Sequence, residues 1–354
     1  MQPAHSPSYR KTELEYPYAE VPEAGSVKEV APGIYLVRMP LPFALEHINL
    51  WLLADGEGWT VVDCGYATDA TRAAWERIFA QHLGARPVTR LIVTHCHPDH
   101  IGLCGWLCEK FGLMPWTTQS EYLLAHAYYH RIGGADHAAL VALHERHGLA
   151  RGKLAAVNWR EDHYRRGVPA LPGAFRRIAH GDKFEIGGNS WQVIIGHGHS
   201  PEHAALHCEA LGVLISGDML LPRISTNVSV WPMEPEGDPL GKFLASLEHF
   251  MVLDAGTLAL PSHGLPFRGI HERVAELKRH NQSRLDRLVA VCERPATAAE
   301  LLPHLFKRKF DDYQLVFAMG EAMAHLNYLM HRGALKRTAD PDGVYRFVRR
   351  VAIA

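Results

Sequence analysis

Cysteine is scarce in this chain of 354 residues: six, at 64, 96, 104, 108, 208 and 292. Such spacing excludes the disulfide framework of a small secreted domain. No uncharged apolar run reaches the length that spans a bilayer. The opening Met1-Gln2-Pro3-Ala4-His5-Ser6-Pro7 lacks the basic start and apolar stretch of a signal peptide. A cytoplasmic protein with reduced thiols and no membrane partner is the expectation. Net charge is also nearly absent, at -1. That argues against bulk nucleic acid or an anionic surface as partner; a small-molecule substrate is the expectation. Oligomeric state is not legible. There is no internal repeat and no low-complexity tract.

Histidine is in excess. There are 24, and many fall in two short clusters, at 95–100 and 197–207. Hydrophobic residues make up 47% and charged ones 21%, enough for a large packed domain with a smaller one beside it.

Residues 1–26 read as an N-terminal arm packed over the body. From Val27 onward short strand-like runs appear, with Asp55-Gly56-Glu57-Gly58 as a turn. The segment 68–83 reads as a helix, with Thr68 or Asp69 as N-cap and Gly84 as stop. Leu91-Ile92-Val93-Thr94 is a buried strand entering the first cluster, and residues 101–111 form the helix after it. A helical insert occupies about 119–170, broken at Gly133-Gly134 and Gly148. Its Tyr122, His126, Tyr128, Tyr129 and His130 repeat at helical spacing, either as a cover over a site or as a stripe packed on the core. Strands return after Pro172, which suggests stacked sheets covered outside by helices. The catalytic body is bounded at 27–283. Residues 284–354 give helix, helix and β-hairpin, the order of a winged helix. It is modestly basic, which suits nucleic acid or, more ordinarily, a solvated face.

Thr94-His95-Cys96-His97-Pro98-Asp99-His100 follows a buried strand, where ligand sites in α/β proteins form. Imidazoles and a carboxylate are ligands that Zn²⁺ accepts, with Fe or Mn as alternatives. Histidines two apart in an extended loop can share one ion, and Asp99 and His100, displaced along it, can serve a second. Buried together without a metal, these side chains would be costly. Further strand ends supply His197, His199 and His203, then Asp218, then His263. Cys96 should point away, because side chains alternate along an extended loop. Cys104 and Cys108, one helical turn apart, are either a redox pair or two buried thiols.

The order HxHxDH, Gly-His-Ser-Pro, Ser-Gly-Asp and Pro-Ser-His-Gly resembles the metallo-β-lactamase superfamily over about residues 27–270, and Asp63 in Val61-Val62-Asp63-Cys64-Gly65 matches its first motif. The resemblance implies an αββα four-layer sandwich with the helical insertion and a C-terminal winged helix that is not a DNA reader. It also implies His95, His97 and His199 on one ion, Asp99, His100 and His263 on a second, Asp218 bridging both, and Asp63 orienting the ligand loop. Two divalent metal ions would hold a bridging hydroxide that attacks a carbonyl or phosphoryl centre. Asp99 is the candidate catalytic residue, accepting a proton. An acyl thioester or related ester is the expected substrate; an endoribonuclease or phosphodiesterase, a lactonase, or a β-lactamase-like hydrolase is the alternative. From other classes, a mononuclear iron persulfide dioxygenase shares the HxHxDH spacing. A flavodiiron oxygen reductase shares the fold but has Glu where this chain has His97. His197 reads as a structural neighbour and His203 as a supporting or substrate-facing group, while Arg223 and Asn227 could reach a substrate anion or stabilise their loop.

Overall fold

Apolar side chains alternating along short runs demand strands that bury one face at a time, and here they build two sheets. The computed structural model describes residues 14–350 apart from residue 44 and residues 155–162. In the first sheet β1 (Val27–Ala31), β2 (Ile34–Pro40), β3 (His47–Asp55) and β4 (Gly58–Val62) form an antiparallel meander. β5 (Val88–Ile92), β6 (Trp116–Thr117) and β7 (Arg176–Arg177) extend it in parallel. The second sheet runs in the order β12 (Leu258–Pro261), β11 (Val213–Gly217), β10 (His203–Cys208), β9 (Asn189–Gly196), β8 (Lys183–Ile186). Only its β11–β12 pair is parallel.

The alternation decides which face goes where. Trp51 and Leu53 of β3 share a core with Trp191, Val193 and Ile195 of β9. Leu50 and Leu52, pointing the other way, pack with Trp75 and Ile78 of helix Asp69–Gln81. Ile194 and Ala205 point away from the shared core and pack with Phe243, Phe250 and Val274, which lie on helices Pro239–Ser246, Glu248–Met251 and Ile270–Val291. Each such fully buried large apolar side chain contributes roughly 1.5–3 kcal/mol.

The helix expected at 68–83 is present, and Thr68 caps it by accepting from the Thr71 amide. In the insert, helices Gln119–His130, His137–Arg146 and His163–Gly167 are separated as the glycines predicted; residues 155–162 lie outside the described residues. Its aromatic stripe packs on the chain's own return path. Tyr122 stacks on Phe175 at 4.2 Å, and the Tyr122 and Tyr129 hydroxyls donate to the carbonyls of Pro172 and Pro169, both at 3.0 Å.

Helix Ile270–Val291 passes through residue 283 unbroken. Beyond it lie helix Ala298–Leu305, helix Asp312–His331 and the hairpin β13 (Leu335–Ala339) and β14 (Tyr345–Arg349). Leu288, Met319 and Phe347 belong to the same apolar cluster as Phe243 and Val274, so this C-terminal unit has no separate core. Part of the arm is described: Glu15 bridges Arg268, and Tyr16 packs against the same cluster. No helix among the described residues is long and apolar enough to cross a membrane.

Candidate metal centre

Four strand ends deliver the histidines and acids to one place. Two chain ties hold the sheets in register there: the Ala204 amide donates to the Thr94 carbonyl at 2.9 Å, and the Asn49 amide to the Ser262 carbonyl at 2.7 Å. The seven expected ligands meet in two groups. His95, His97, His199 and Asp218 form one, and Asp99, His100 and His263 the other, each with ligand atoms within 4.8 Å of one another. Asp218 lies between them, its Oδ2 3.3 Å from His199 Nε2 and 3.6 Å from His100 Nε2, its Oδ1 3.6 Å from His263 Nε2. Asp99 Oδ2 lies 3.4 Å from His263 Nε2.

The segment 95–100 is not extended throughout, which corrects the loop reading. His97 is the N-cap of a helical turn, Pro98–Ile101. Proline tolerates that position because its missing N–H would be unpaired anyway. The turn swings Asp99 and His100 away from His95 and His97. The following helix, Cys104–Phe111, accordingly begins three residues later than expected.

Hydrogen bonds on the far side of each ring fix which nitrogen carries its lone pair inward. His199 Nδ1 donates to the Asn227 carbonyl at 2.8 Å, and His263 Nδ1 to the His47 carbonyl at 3.0 Å. His100 Nδ1 donates to Asp63 Oδ2 at 2.7 Å. The Thr94 hydroxyl gives its proton to Asp63, so at 3.1 Å from His95 Nδ1 it can only accept. All four rings therefore turn Nε2, not Nδ1, toward the centre. His95 Nε2 stands 2.9 Å from His97 Nδ1 and 3.2 Å from His199 Nε2. His100 Nε2 and Asp218 Oδ1 are buried and make no hydrogen bond. Such buried polar atoms without a partner, aimed into the same space, fit a cation between them.

Charge follows the same geometry. Burial, with the neighbouring His100 and His97, holds His95 well below the ordinary imidazole value, and burial with His199 brings His97 to about 3. Burial alone would lower His100 and His263 too. The carboxylates of Asp63, Asp99 and Asp218 outweigh it at His100, and those of Asp218 and Asp99 at His263, so both are raised.

Asp63 sits at φ 64°, a conformation rarely adopted outside glycine. It accepts from the Thr94 amide at 2.8 Å as well as from the Thr94 hydroxyl and His100, so it ties the ligand segment down. His203 is fully buried and lies outside both groups: its Nε2 accepts the Asp218 amide at 3.1 Å. That contact needs Gly217, since a Cβ there would lie 2.2 Å from His203 Nε2. His197 stays out of both groups, bonded through Nδ1 to the Pro201 carbonyl at 2.6 Å. Arg223 lies over the Tyr16 ring at 5.6 Å, and the Asn227 side chain accepts from Ser229. Cys96 points into the apolar layer behind the segment. All six cysteines are buried and free, with Cys104 Sγ and Cys108 Sγ 4.0 Å apart.

The sequence reading missed Glu121, whose carboxylate touches both histidine loops. An acid in the first turn of a helix normally reads as a complement to the helix dipole, so no signal set it apart.

The model of the metallo-beta-lactamase superfamily matches residues 44–263. The chain belongs to this superfamily. A second model, the metallo-beta-lactamase-like C-terminal domain, matches residues 285–350. Among solved structures, a beta-lactamase domain protein from Burkholderia ambifaria is 48% identical with a TM-score of 0.88, over 95% of this chain and 98% of that one. A metallo-beta-lactamase family protein from Thermus thermophilus is 34% identical with a TM-score of 0.78, over 91% and 100%. The curated relative "Probable metallo-hydrolase YqjP" of Bacillus subtilis (strain 168) is 23% identical, over 88% of this chain and 97% of its own. The superfamily's mixed α/β fold and the expected metal-dependent hydrolase accord with these relatives.

Proposed function

We propose that this metallo-β-lactamase superfamily hydrolase works with two divalent ions, zinc foremost, on a small acyl thioester or related ester. The observation that carries the reading is the inward aim of four Nε2 atoms, each ring held by an acceptor on its far side. His95, His97 and His199 would hold one ion, Asp99, His100 and His263 the other, with Asp218 touching both. Bound there, the ions would supply a hydroxide at neutral pH and polarise the scissile carbonyl. Asp99, at the open side of the centre with 14% of its side chain exposed, is placed to take a proton from an incoming group.

Tyr66 and Tyr313 stand near enough for Asp99's charge to add to burial in raising both phenols, so each keeps its O–H as a donor at neutral pH. Phe43 packs edge-on against Tyr66 at 5.6 Å, and Phe317 against Tyr313 at 5.1 Å. Polar hydroxyls backed by rings suit an acyl group better than a polyanion, which supports the ester reading over a phosphodiester. The helix–helix–hairpin order supports a winged helix used for packing, and the helix-covered sheet pair supports the four-layer sandwich. A cytoplasmic location is part of the same proposal.

The test is elemental analysis combined with thioester, lactone, β-lactam and bis-nitrophenyl phosphate substrates. Two ions per chain and preferred thioester turnover are expected, and His97→Ala should lose the first ion and all hydrolysis. Normal turnover in that variant, or one iron with persulfide oxidation, overturns the proposal.

A further inference from the structure

Glu121 lies in the first turn of helix Gln119–His130, the opening helix of the insert, and is 1% exposed. Its two carboxylate oxygens go to two different loops. Oε2 accepts the Cys96 amide at 2.9 Å, and Oε1 accepts the Glu202 amide at 2.7 Å. Cys96 is the residue between His95 and His97, and Glu202 follows His199 by three. The grip is reciprocal. Glu202 Oε2 accepts the Ser120 amide at 3.0 Å, and the Glu202 carbonyl accepts the Thr118 hydroxyl at 3.0 Å. At the carbonyl end of the same residue, Tyr164 of helix His163–Gly167 donates its hydroxyl to Cys96 at 2.7 Å.

The loops so joined are the two that supply the histidines of the first ion. Asp99 and His100 lie beyond the turn that His97 caps, and His263 comes from another strand end. The geometry points to Glu121 as a positioning residue: through it the insert sets the spacing of His95 and His97 against His199. The inference rests on the two-ion reading. A buried carboxylate that accepts two charge-assisted bonds holds both loops at one distance, and orienting groups of this kind govern metal affinity by roughly 10–100-fold when changed.

Glu121→Gln keeps one acceptor and turns an NH₂ against the other amide at unchanged volume. The full-length chain is stripped, reloaded with Zn²⁺ or Co²⁺, and titrated against a chromophoric chelator. In the variant, the ion that His97→Ala removes should bind roughly 10–100-fold more weakly, the other ion should be unchanged, and the Co²⁺ visible spectrum of the weakened site should shift. Tyr164→Phe should weaken the same ion less. Equal weakening of both ions, or a lowered thermal midpoint with both affinities intact, would mark Glu121 as merely structural and overturn the inference. If the wild-type chain takes only one ion, the two-ion reading fails instead. The effect of Glu121→Gln on that single ion then decides: a loss supports the positioning role, and no change overturns it.

Discussion

The two ligand groups share Asp218 but differ in charge. The first holds His95 and His97, which burial keeps neutral. The second sets His100 and His263 among carboxylates that raise both, while those cationic rings hold Asp99 and Asp218 below the ordinary carboxylate value against the pull of burial. One group offers free lone pairs to a cation. The other is already balanced by protons, so a cation entering it must displace them. On the two-ion proposal, one fold would build two sites from the same residue types and give them different dependence on pH.

Removing the shared residue tests the comparison hardest. Asp218→Ala should lose both ions and reduce turnover on the order of 10³-fold or more, because several kcal/mol of transition-state stabilisation go with the metals. Metal content and initial rate read this directly. Retention of one tightly held ion would assign Asp218 to a single group.

Titration separates the groups next. His100 and His263 are raised, so they carry protons at and somewhat above the ordinary imidazole value and lose them only as pH rises further. Affinity at the second group should therefore fall with falling pH, by about tenfold per unit for each proton displaced. His95 and His97, held low, should add no such dependence over the same range. Calorimetry in buffers of different ionisation enthalpy should show more protons released on filling the second group than the first. Asp63→Asn removes the largest influence raising His100 and should reduce that release. Equal release at both groups would break the comparison.

Much of the centre was legible because its ligands end strands, where a lone His or Asp after an apolar run stands out. His95, Asp218 and His263 are of this kind. The division of 95–100 between two groups was also legible, but not its cause, the helical turn at Pro98, since four residues are too few for periodicity to show. His203 and Glu121 were harder still. Each acts on a backbone amide remote in sequence, Asp218 in one case and Cys96 and Glu202 in the other. Nothing in residue type or spacing announces such a contact. The fold showed the same split: strands and helices followed local pattern, whereas the core that joins the C-terminal unit to helix Ile270–Val291 depends on packing between distant segments.

The smallest expected effect asks whether the C-terminal unit takes part in either group. Thr297 caps helix Ala298–Leu305 in a reciprocal box: its hydroxyl accepts the Glu300 amide at 3.2 Å, and Glu300 Oε2 accepts the Thr297 amide at 2.8 Å. The insert leans on this cap, since a Cβ at Gly148 would lie 2.3 Å from Thr297 Cβ. The His147 carbonyl also accepts the Ala299 amide at 3.2 Å. Thr297→Ala should cost about 1 kcal/mol, lowering the thermal midpoint by about 1–2 °C. If the metal groups depend on their own loops and on Glu121, both ion affinities should be unchanged. Weakening of the first ion alone would mean that strain at this cap travels through the insert to His95 and His97, and the contrast between the groups would then include the C-terminal unit.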